Sequence, residues 1–272
     1  MEIIPPFTQK IAIDCLLHRP CVELAYGDYG AGEALILIHG LGGRGWSWRQ
    51  QIAELSQDYR VLALDLRGHG NSGCRAGETI SLRSLAEDVM ALMKNLGVVR
   101  GHICGHSLGG MIALEILARS GTLIKSLVLT DTTAFFPPPS MLAEFLHHFD
   151  LMEMANWARF MAPRLLGREA PAALTEEVVE TISATSRVAY RQALIAAFQA
   201  DYRWLLPLLD LPTLILVGEE DQATPWGHAR YLQSRIREAS LQVVPKAGHL
   251  SPQENPQEFN RQLRAHLKGY ER

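Results

Sequence analysis

Short runs of aliphatic residues alternate along this chain with longer segments in which apolar residues recur every three or four positions. The short runs are bounded by glycine, proline or polar residues, which is typical of strands buried on both faces of a parallel sheet. The strand patterns cover 11–17, 22–28, 34–40, 60–65, 101–106, 126–131, 213–219 and 241–245, and the helical ones 46–57, 81–96, 109–119, 227–238 and 256–268. This order predicts an α/β fold whose mostly parallel, doubly wound sheet has about eight strands.

One long stretch between two predicted strands has no strand pattern. From Asp131 to Pro212 the chain is helical in pattern and rich in methionine and aromatic residues. Open α/β sheets bind ligands at the carboxyl ends of their strands, and an inserted segment at that edge can pack over the ligand site. We therefore expect a core domain of residues 1–133 and 211–272, with a helical cap of residues 134–210 inserted after strand 6.

Composition and charge argue against several classes of function. Apolar residues make up 47% of the chain, and the formal net charge is -3 at pH 7, which favours neither nucleic acid nor an anionic membrane as a partner. The first ten residues have no basic region followed by an apolar stretch, so no signal peptide is expected. No apolar run reaches the roughly 18 residues that a membrane span needs. We expect a cytoplasmic monomer or homodimer.

The cysteines suggest neither a metal site nor a disulfide framework. Cys15, Cys21, Cys74 and Cys104 show no C-x-x-C pair and no zinc spacing, so free thiols in a reducing compartment are expected. Only a suitable geometry of adjacent strands would let Cys15 and Cys21 form a bridge.

The hexapeptide GHSLGG at 105–110 fits the pattern G-x-S-x-G and lies between a predicted strand and a predicted helix. A nucleophile at this position sits on a tight, strained turn, where the side chains of residues other than glycine would clash. The following helix offers its N-terminal amides to a developing oxyanion. A small-residue turn without chemistry is the alternative, but the strand and helix on either side favour Ser107 as a nucleophile.

A second glycine-rich segment, HGLGG at 39–43, follows the predicted strand 34–40. Its glycines allow the backbone to turn sharply and direct an amide inward. We expect the backbone amides of Leu41 and Leu108 to be the oxyanion donors, with Gly40 beside the substrate. A plain glycine turn is the alternative, and His39 is expected to be structural.

A histidine and an acidic residue join Ser107 as candidate catalytic residues. His249 follows the last predicted strand, and a neutral imidazole accepts and returns a proton near pH 7. Asp221 lies after the strand at 213–219 in a run of three carboxylates. Asp131 follows another strand and is the rival for the acidic role.

Five segments, taken in order, resemble the α/β-hydrolase superfamily. They are HGLGG (39–43), DLRGHGNSG (65–73), GHSLGGMIALEIL (105–117), GEEDQATP (218–225) and AGHLSPQENP (247–256). The resemblance covers nearly the whole chain apart from the predicted cap. It implies Ser107 as nucleophile, His249 as base and Asp221 as the orienting acid, since this family places the acid three residues after a glycine, here Gly218.

Within the superfamily the chain is similar to small carboxylesterases and to enol-lactone hydrolases such as 3-oxoadipate enol-lactonase. That similarity implies a small-molecule ester or lactone as substrate, hydrolysed through an acyl-enzyme with neither a metal nor a cofactor. We expect His106, Phe136, Trp157 and Leu250 to contact the substrate. Further apolar candidates from the predicted cap are Phe135, Phe145, Phe149, Met152, Phe160 and Met161, although most such residues at helical spacing pack among helices.

Two other functions stay open. Hydrolases that cleave carbon–carbon bonds in aromatic ring-fission products share the serine, histidine and acid, but often carry tryptophan directly after the histidine, where this chain has Leu250. Some proteins of this fold are ligand receptors. Because candidates for all three catalytic groups are present, an enzyme is the better hypothesis.

Overall fold

The structure is a computed structural model that describes residues 9–13, 22–74, 77–136 and 139–270. Its strands are β1 (Gln9–Ile13), β2 (Val22–Tyr29), β3 (Ala34–Ile38), β4 (Arg60–Leu64), β5 (Gly101–His106), β6 (Ile124–Thr130), β7 (Thr213–Gly218) and β8 (Ala239–Val244). They form one eight-stranded sheet in the order β1-β2-β4-β3-β5-β6-β7-β8. Strand β2 pairs antiparallel with β1 and β4, and the other neighbours are parallel. The predicted mostly parallel sheet is confirmed.

The helices are α1 (Arg49–Leu55), α2 (Leu82–Asn95), α3 (Leu108–Ser120), α4 (Pro139–Leu151), α5 (Met154–Leu165), α6 (Ala172–Ala184), α7 (Arg187–Gln199), α8 (Trp226–Arg235), α9 (Ser251–Glu254) and α10 (Pro256–Lys268). All five predicted helices are present; the last has its predicted ends, and the ends of the other four are shifted. The first begins with a 3-10 turn, Gly45–Trp48, and α8 stops at Arg235 because Ile236 is extended, with φ -95° and ψ 125°.

The first predicted strand overlaps β1 at residues 11–13, and β1 begins two residues earlier, at Gln9. Positions 14–17 of that prediction, which include Cys15, lie outside the described residues, as does Cys21. Cys74 and Cys104 are free thiols, and Cys104 is buried.

Side chains of the central strands alternate between two apolar cores. In β3, where every residue is buried, Leu35 and Leu37 pack with residues of α1 and α10. Their neighbours Ile36 and Ile38 pack on the other face with residues of α2, α3 and α8. Since helices cover both faces, the strands need apolar residues at successive positions, and this explains why their sequences are continuous aliphatic runs.

Between β6 and β7 the described residues form the inserted helices, α4–α7, and the only strand-like contact there is a bridge between Phe135 and Asp201. Many of their apolar side chains form a third core around Trp157, whereas Ala189 and Ala193 of α7 pack in the sheet core that contains Ile36 and Ile38. Leu250, from the loop after β8, belongs to the third core, and Leu41, from the loop after β3, packs against it. The inserted helices therefore cover the carboxyl ends of the strands. Within the described part of the chain, no helix combines the length and the hydropathy needed to cross a membrane.

Candidate active site

Ser107 lies on the sharp turn between β5 and α3, in a backbone conformation with φ 52° and ψ -116° that few residues adopt. The glycines on either side allow this turn to pack. A Cβ at Gly105 would lie 2.3 Å from the carbonyl oxygen of Gly109, and one at Gly109 would lie 2.2 Å from that of Ile38. The hydroxyl of Thr132 donates to the Ser107 carbonyl oxygen at 2.6 Å and fixes the turn to the end of β6.

A continuous chain of hydrogen bonds joins the three residues predicted to carry the chemistry. His249 Nδ1 lies 2.9 Å from Asp221 Oδ2, and His249 Nε2 lies 2.9 Å from Ser107 Oγ. A carboxylate oxygen only accepts, so Nδ1 carries the proton of the neutral ring. Nε2 is then the acceptor for the Ser107 hydroxyl, which is the arrangement a general base needs.

The loop after β7 holds Asp221 in one orientation. Its Oδ1 accepts from the amides of Ala223 and Thr224, and its Oδ2 accepts from the Thr224 hydroxyl at 2.8 Å. Burial alone would raise the pKa of Asp221, but the charge of His249 and these hydrogen bonds lower it well below its usual range. Sequence reasoning missed Thr224, although a threonine three residues after an aspartate is a common signal for such a turn.

The backbone of His249 is held on two sides. The His249 amide donates to the carbonyl oxygen of Leu165, at the end of α5, at 2.8 Å, and the His249 carbonyl oxygen accepts from His106 Nε2 at 2.7 Å. Burial acts to lower the pKa of His249, but the charge and hydrogen bond of Asp221 together raise it above its ordinary value. Burial lowers the pKa of His106 to about 3, so that ring stays neutral.

The rival carboxylate, Asp131, contacts the loops around the site. Its Oδ1 accepts from the amide of Gly218 at 2.7 Å, and its Oδ2 accepts from the Ser251 hydroxyl. Among the described hydrogen bonds none joins Asp131 to His249. Burial and the neighbouring charge of Asp221 raise the pKa of Asp131 to about 8. The geometry therefore pairs Asp221, and not Asp131, with the imidazole.

The HGLGG loop passes directly against the serine. A Cβ at Gly40 would lie 3.1 Å from Ser107 Cβ and 2.8 Å from His106 Nδ1, so only glycine fits there. His39 lies beneath the loop: its Nδ1 donates to the Gly40 carbonyl oxygen at 2.7 Å and its Nε2 accepts from the Leu66 amide at 2.9 Å. Burial lowers the pKa of His39 to about 4, as expected for a structural histidine.

A cavity of about 330 Å³ opens onto Ser107 and His249. Its lining includes the predicted oxyanion donor Leu41 and the predicted substrate contacts His106, Phe136, Trp157 and Leu250. Gly40 is absent from that lining and borders instead a smaller cavity of about 50 Å³, whose lining also includes Leu41 and Leu250. That Gly40 lies beside the substrate stays a prediction.

Among the further apolar candidates, Phe145 and Met161 line the cavity, whereas Phe135, Phe149, Met152 and Phe160 are outside its lining. Sequence reasoning missed Tyr190, Leu194 and Phe198 of α7. Phe198 stacks on Phe136 with ring centroids 4.5 Å apart. The spacing of four residues among these three places them on one helix face, a signal present in the sequence. Arg164 lies at the rim, with its guanidinium 3.8 Å from the centre of the Phe160 ring.

Across the described residues, no cluster of three or more histidine, cysteine, aspartate or glutamate side chains has an arrangement that would hold a metal ion. A hydroxyl and an imidazole face the cavity, and a carboxylate is hydrogen-bonded to that imidazole. Such a set is suited to nucleophilic attack with general acid–base catalysis.

Comparison with known proteins places this geometry among hydrolases. The sequence profile of the alpha/beta hydrolase family matches residues 35–262. A protein of Stutzerimonas stutzeri described as the carbamate hydrolase RutD is 29% identical over 248 residues, covering 86% of this chain and 91% of that protein. 3-Oxoadipate enol-lactonase 2 of Acinetobacter baylyi is 27% identical over 256 residues, covering 92% and 94%.

Comparison with a solved structure indicates the same family. The thermophilic esterase of Thermogutta terrifontis superposes with a TM-score of 0.90 at 28% identity, covering 97% of this chain and 99% of the esterase. The family profile spans most of the chain, and the fold and the strand-edge geometry agree with it. The chain belongs to the alpha/beta hydrolase family and is a hydrolase.

Proposed function

We propose that the protein is a serine hydrolase that cleaves a carboxylic ester or lactone through an acyl-enzyme on Ser107. The observation that carries this proposal is the continuous hydrogen-bonded chain from Asp221 through His249 to Ser107, at the mouth of a largely apolar cavity. Ionised Asp221 would hold the imidazole tautomer and stabilise the imidazolium without taking its proton.

The reaction has two halves. In the first, Ser107 Oγ bonds to the substrate carbonyl carbon while His249 Nε2 takes the hydroxyl proton. The C–O bond to the leaving group then breaks, and His249 returns the proton to the departing alkoxide oxygen. In the second half, His249 removes a proton from water, the resulting hydroxide attacks the acyl carbon, and the acid leaves as Ser107 regains its proton.

The amides of Leu41 and Leu108 are the proposed donors to the oxyanion. Leu108 is the first residue of α3, and the first amides of a helix have no partner within the helix. Leu41 follows Gly40, whose backbone passes against Ser107. Loss of one such donor typically costs on the order of 10²-fold in rate, because it acts on charge that develops in the transition state.

We propose that residues 134–210 act as a cap over a core of residues 1–133 and 211–272. Supporting this role, the backbone amide of His249 donates to Leu165, and residues of α4, α5 and α7 form much of the cavity wall. A cap that excludes water strengthens the electrostatic interactions within the site. Cytoplasmic location and a monomeric or dimeric state stay predictions.

The names of similar proteins favour esters and lactones. They include a thermophilic esterase and, at 26% identity and a TM-score of 0.87, the enol-lactonase of Burkholderia xenovorans. Leu250, which follows His249 and lines the cavity, weakens the carbon–carbon alternative because hydrolases of that type often carry tryptophan there. A receptor would have no need for a base within hydrogen-bond reach of a serine.

The test is turnover of a panel that contains short aryl esters, lactones, aryl carbamates and ring-fission products. We expect ester or lactone hydrolysis by the wild type, with kcat/KM lower by about 10⁴-fold or more in Ser107→Ala. The surface variant Ser234→Ala serves as the matched control and keeps full activity. A folded wild type that turns over only ring-fission products, or nothing, contradicts the proposal.

A further inference from the structure

Two aromatic side chains of the inserted helices bring polar groups into the wall of the main cavity. Trp157 of α5 and Tyr190 of α7 both line the cavity, and both are almost fully buried, with 0% and 3% of their surfaces exposed. The indole N–H of Trp157 lies near the Tyr190 oxygen and acts to lower the pKa of that phenol. The contact falls outside ordinary hydrogen-bond geometry, so within the described residues the indole nitrogen has no hydrogen-bond partner.

The Tyr190 ring is held firmly in place. It stacks on Phe149, with centroids 5.5 Å apart and planes 6° apart, and meets the Trp157 ring edge-on at 6.2 Å. It also packs on the HGLGG loop, because a Cβ at Gly42 would lie 2.8 Å from Tyr190 Cε2. A donor on such a fixed ring loses little entropy when it binds, which favours selective recognition.

The hydroxyl of Tyr190 stays available as a donor. Burial raises the pKa of Tyr190 to about 12, so the phenol is neutral through the ordinary working range of pH. No described residue accepts the phenol proton, and the phenol oxygen keeps contact with the open cavity, since it is not among the enclosed polar atoms that lack a partner. An apolar ligand that fills the cavity would displace water from this hydroxyl and leave the hydroxyl without a partner, which is unfavourable.

We propose that the Tyr190 hydroxyl binds a second oxygen of the substrate, remote from the carbonyl that Ser107 attacks. The substrate class is then an ester or lactone whose apolar part carries an acceptor oxygen such as a ketone. Trp157 is a positioning residue, because its ring packs edge-on against the Tyr190 ring and helps to fix the place of the hydroxyl. This inference rests on the proposed function for the site, and extends it to substrate selection.

Two matched pairs of substrates test the proposal. One pair varies the acyl group, p-nitrophenyl hexanoate against p-nitrophenyl 5-oxohexanoate, and the other varies the alcohol, 4-ethylphenyl acetate against 4-acetylphenyl acetate. The measured quantity is the ratio of kcat/KM for the oxo ester to that for the alkyl ester. Comparing this ratio between wild type and variant cancels the different intrinsic reactivities of the substrates.

In at least one pair, Tyr190→Phe should lower the ratio about tenfold relative to wild type, because the phenol hydroxyl that binds the second oxygen is lost. The control is Tyr202→Phe, which removes the hydroxyl of a buried tyrosine bonded to Glu115 and outside the cavity lining. It should leave both ratios unchanged. Equal ratios in wild type and Tyr190→Phe for both pairs would overturn the proposal.

A binding measurement separates this inference from the proposed function. The Ser107→Ala variant, with and without Tyr190→Phe, is titrated by calorimetry with the methyl esters of hexanoate and 5-oxohexanoate, and with the two aryl acetates. Selective binding of an oxo ester that disappears with Tyr190→Phe supports the Tyr190 site even if the wild type hydrolyses no ester. Binding that ignores Tyr190 overturns it even if Ser107-dependent hydrolysis is found.

Discussion

The loops at the carboxyl ends of the strands and the inserted helices build the same cavity, but they fix their residues in different ways. Ser107, Asp221 and His249 are each held by hydrogen bonds, and Ser107 also has a backbone conformation that few residue types adopt. The inserted helices contribute mainly side chains packed by apolar contact, where many residues of similar volume fit. Substitutions in the loops should therefore change the rate of the chemistry, and substitutions in the helices should change which substrate is preferred.

The largest effect should come from removing the base. Because the proton acceptor is lost, His249→Gln should lower kcat/KM for a short aryl ester by about 10⁴-fold or more. The thermal midpoint should change little. His147→Gln, at an exposed position of α4, is the matched control and should retain activity. Retained turnover in His249→Gln would mean that the loops do not carry the chemistry.

The two buried carboxylates should differ in their effects. Asp221→Asn should reduce kcat by about 10³- to 10⁴-fold, because an amide in this place favours the wrong tautomer of His249. Asp131→Asn should cost only about tenfold, since its contacts are with Gly218 and Ser251 and an amide keeps an acceptor oxygen. Steady-state kinetics of the two variants checks this order, and the reverse order would assign the acidic role to Asp131.

The pH dependence should follow the imidazole. His249 acts as a base only when it is unprotonated, so kcat/KM should fall as the pH drops through the pKa of His249. That pKa lies above its ordinary value of 6.5, because the charge of Asp221 outweighs burial. In Asp221→Asn the residual activity should show its acid limb at lower pH than in the wild type. A wild-type limb centred below 6.5 would contradict this electrostatic account.

The smallest effect is expected in the helices. Phe198→Leu removes the ring that stacks on Phe136, so KM for a bulky aryl-acyl ester should change by about threefold while acetate-ester turnover stays within about twofold. Leu151→Ala, at a position that is 72% exposed, is the control and should change neither. If Phe198→Leu slowed all esters equally, the division of roles between loops and helices would be wrong.

Sequence reasoning found the turn at Ser107 because its backbone conformation restricts the residue types on either side. The turn at Ser107 requires Gly105 and Gly109, and this requirement is visible as G-x-S-x-G. Position along the chain did not distinguish Asp221 from Asp131 as the acidic residue, since both follow a strand. The family resemblance selected Asp221, and the hydrogen bond to His249 supplies a physical reason for that choice.

In the inserted helices, the sequence alone could not distinguish residues of the cavity wall from residues of the apolar core. Phe145 and Phe149 lie one turn apart in α4, yet Phe145 lines the cavity while Phe149 is packed against Trp157 and Tyr190. An apolar residue at helical spacing indicates a buried face, but a cavity wall and a solid core have the same pattern. The contributions of Tyr190 and Phe198 were missed for this reason, because the distinction depends on how α7 packs against its neighbours.

The role of Ser107 is tested most directly by the mass of the protein after treatment with an aryl fluorophosphonate, followed by peptide mapping. If Ser107 is the nucleophile, the wild type should carry a single adduct on Ser107, Ser107→Ala should carry none, and His249→Gln should be labelled far more slowly. A folded wild type that stays unlabelled, or an adduct on another serine that persists in Ser107→Ala, would contradict Ser107 as the nucleophile.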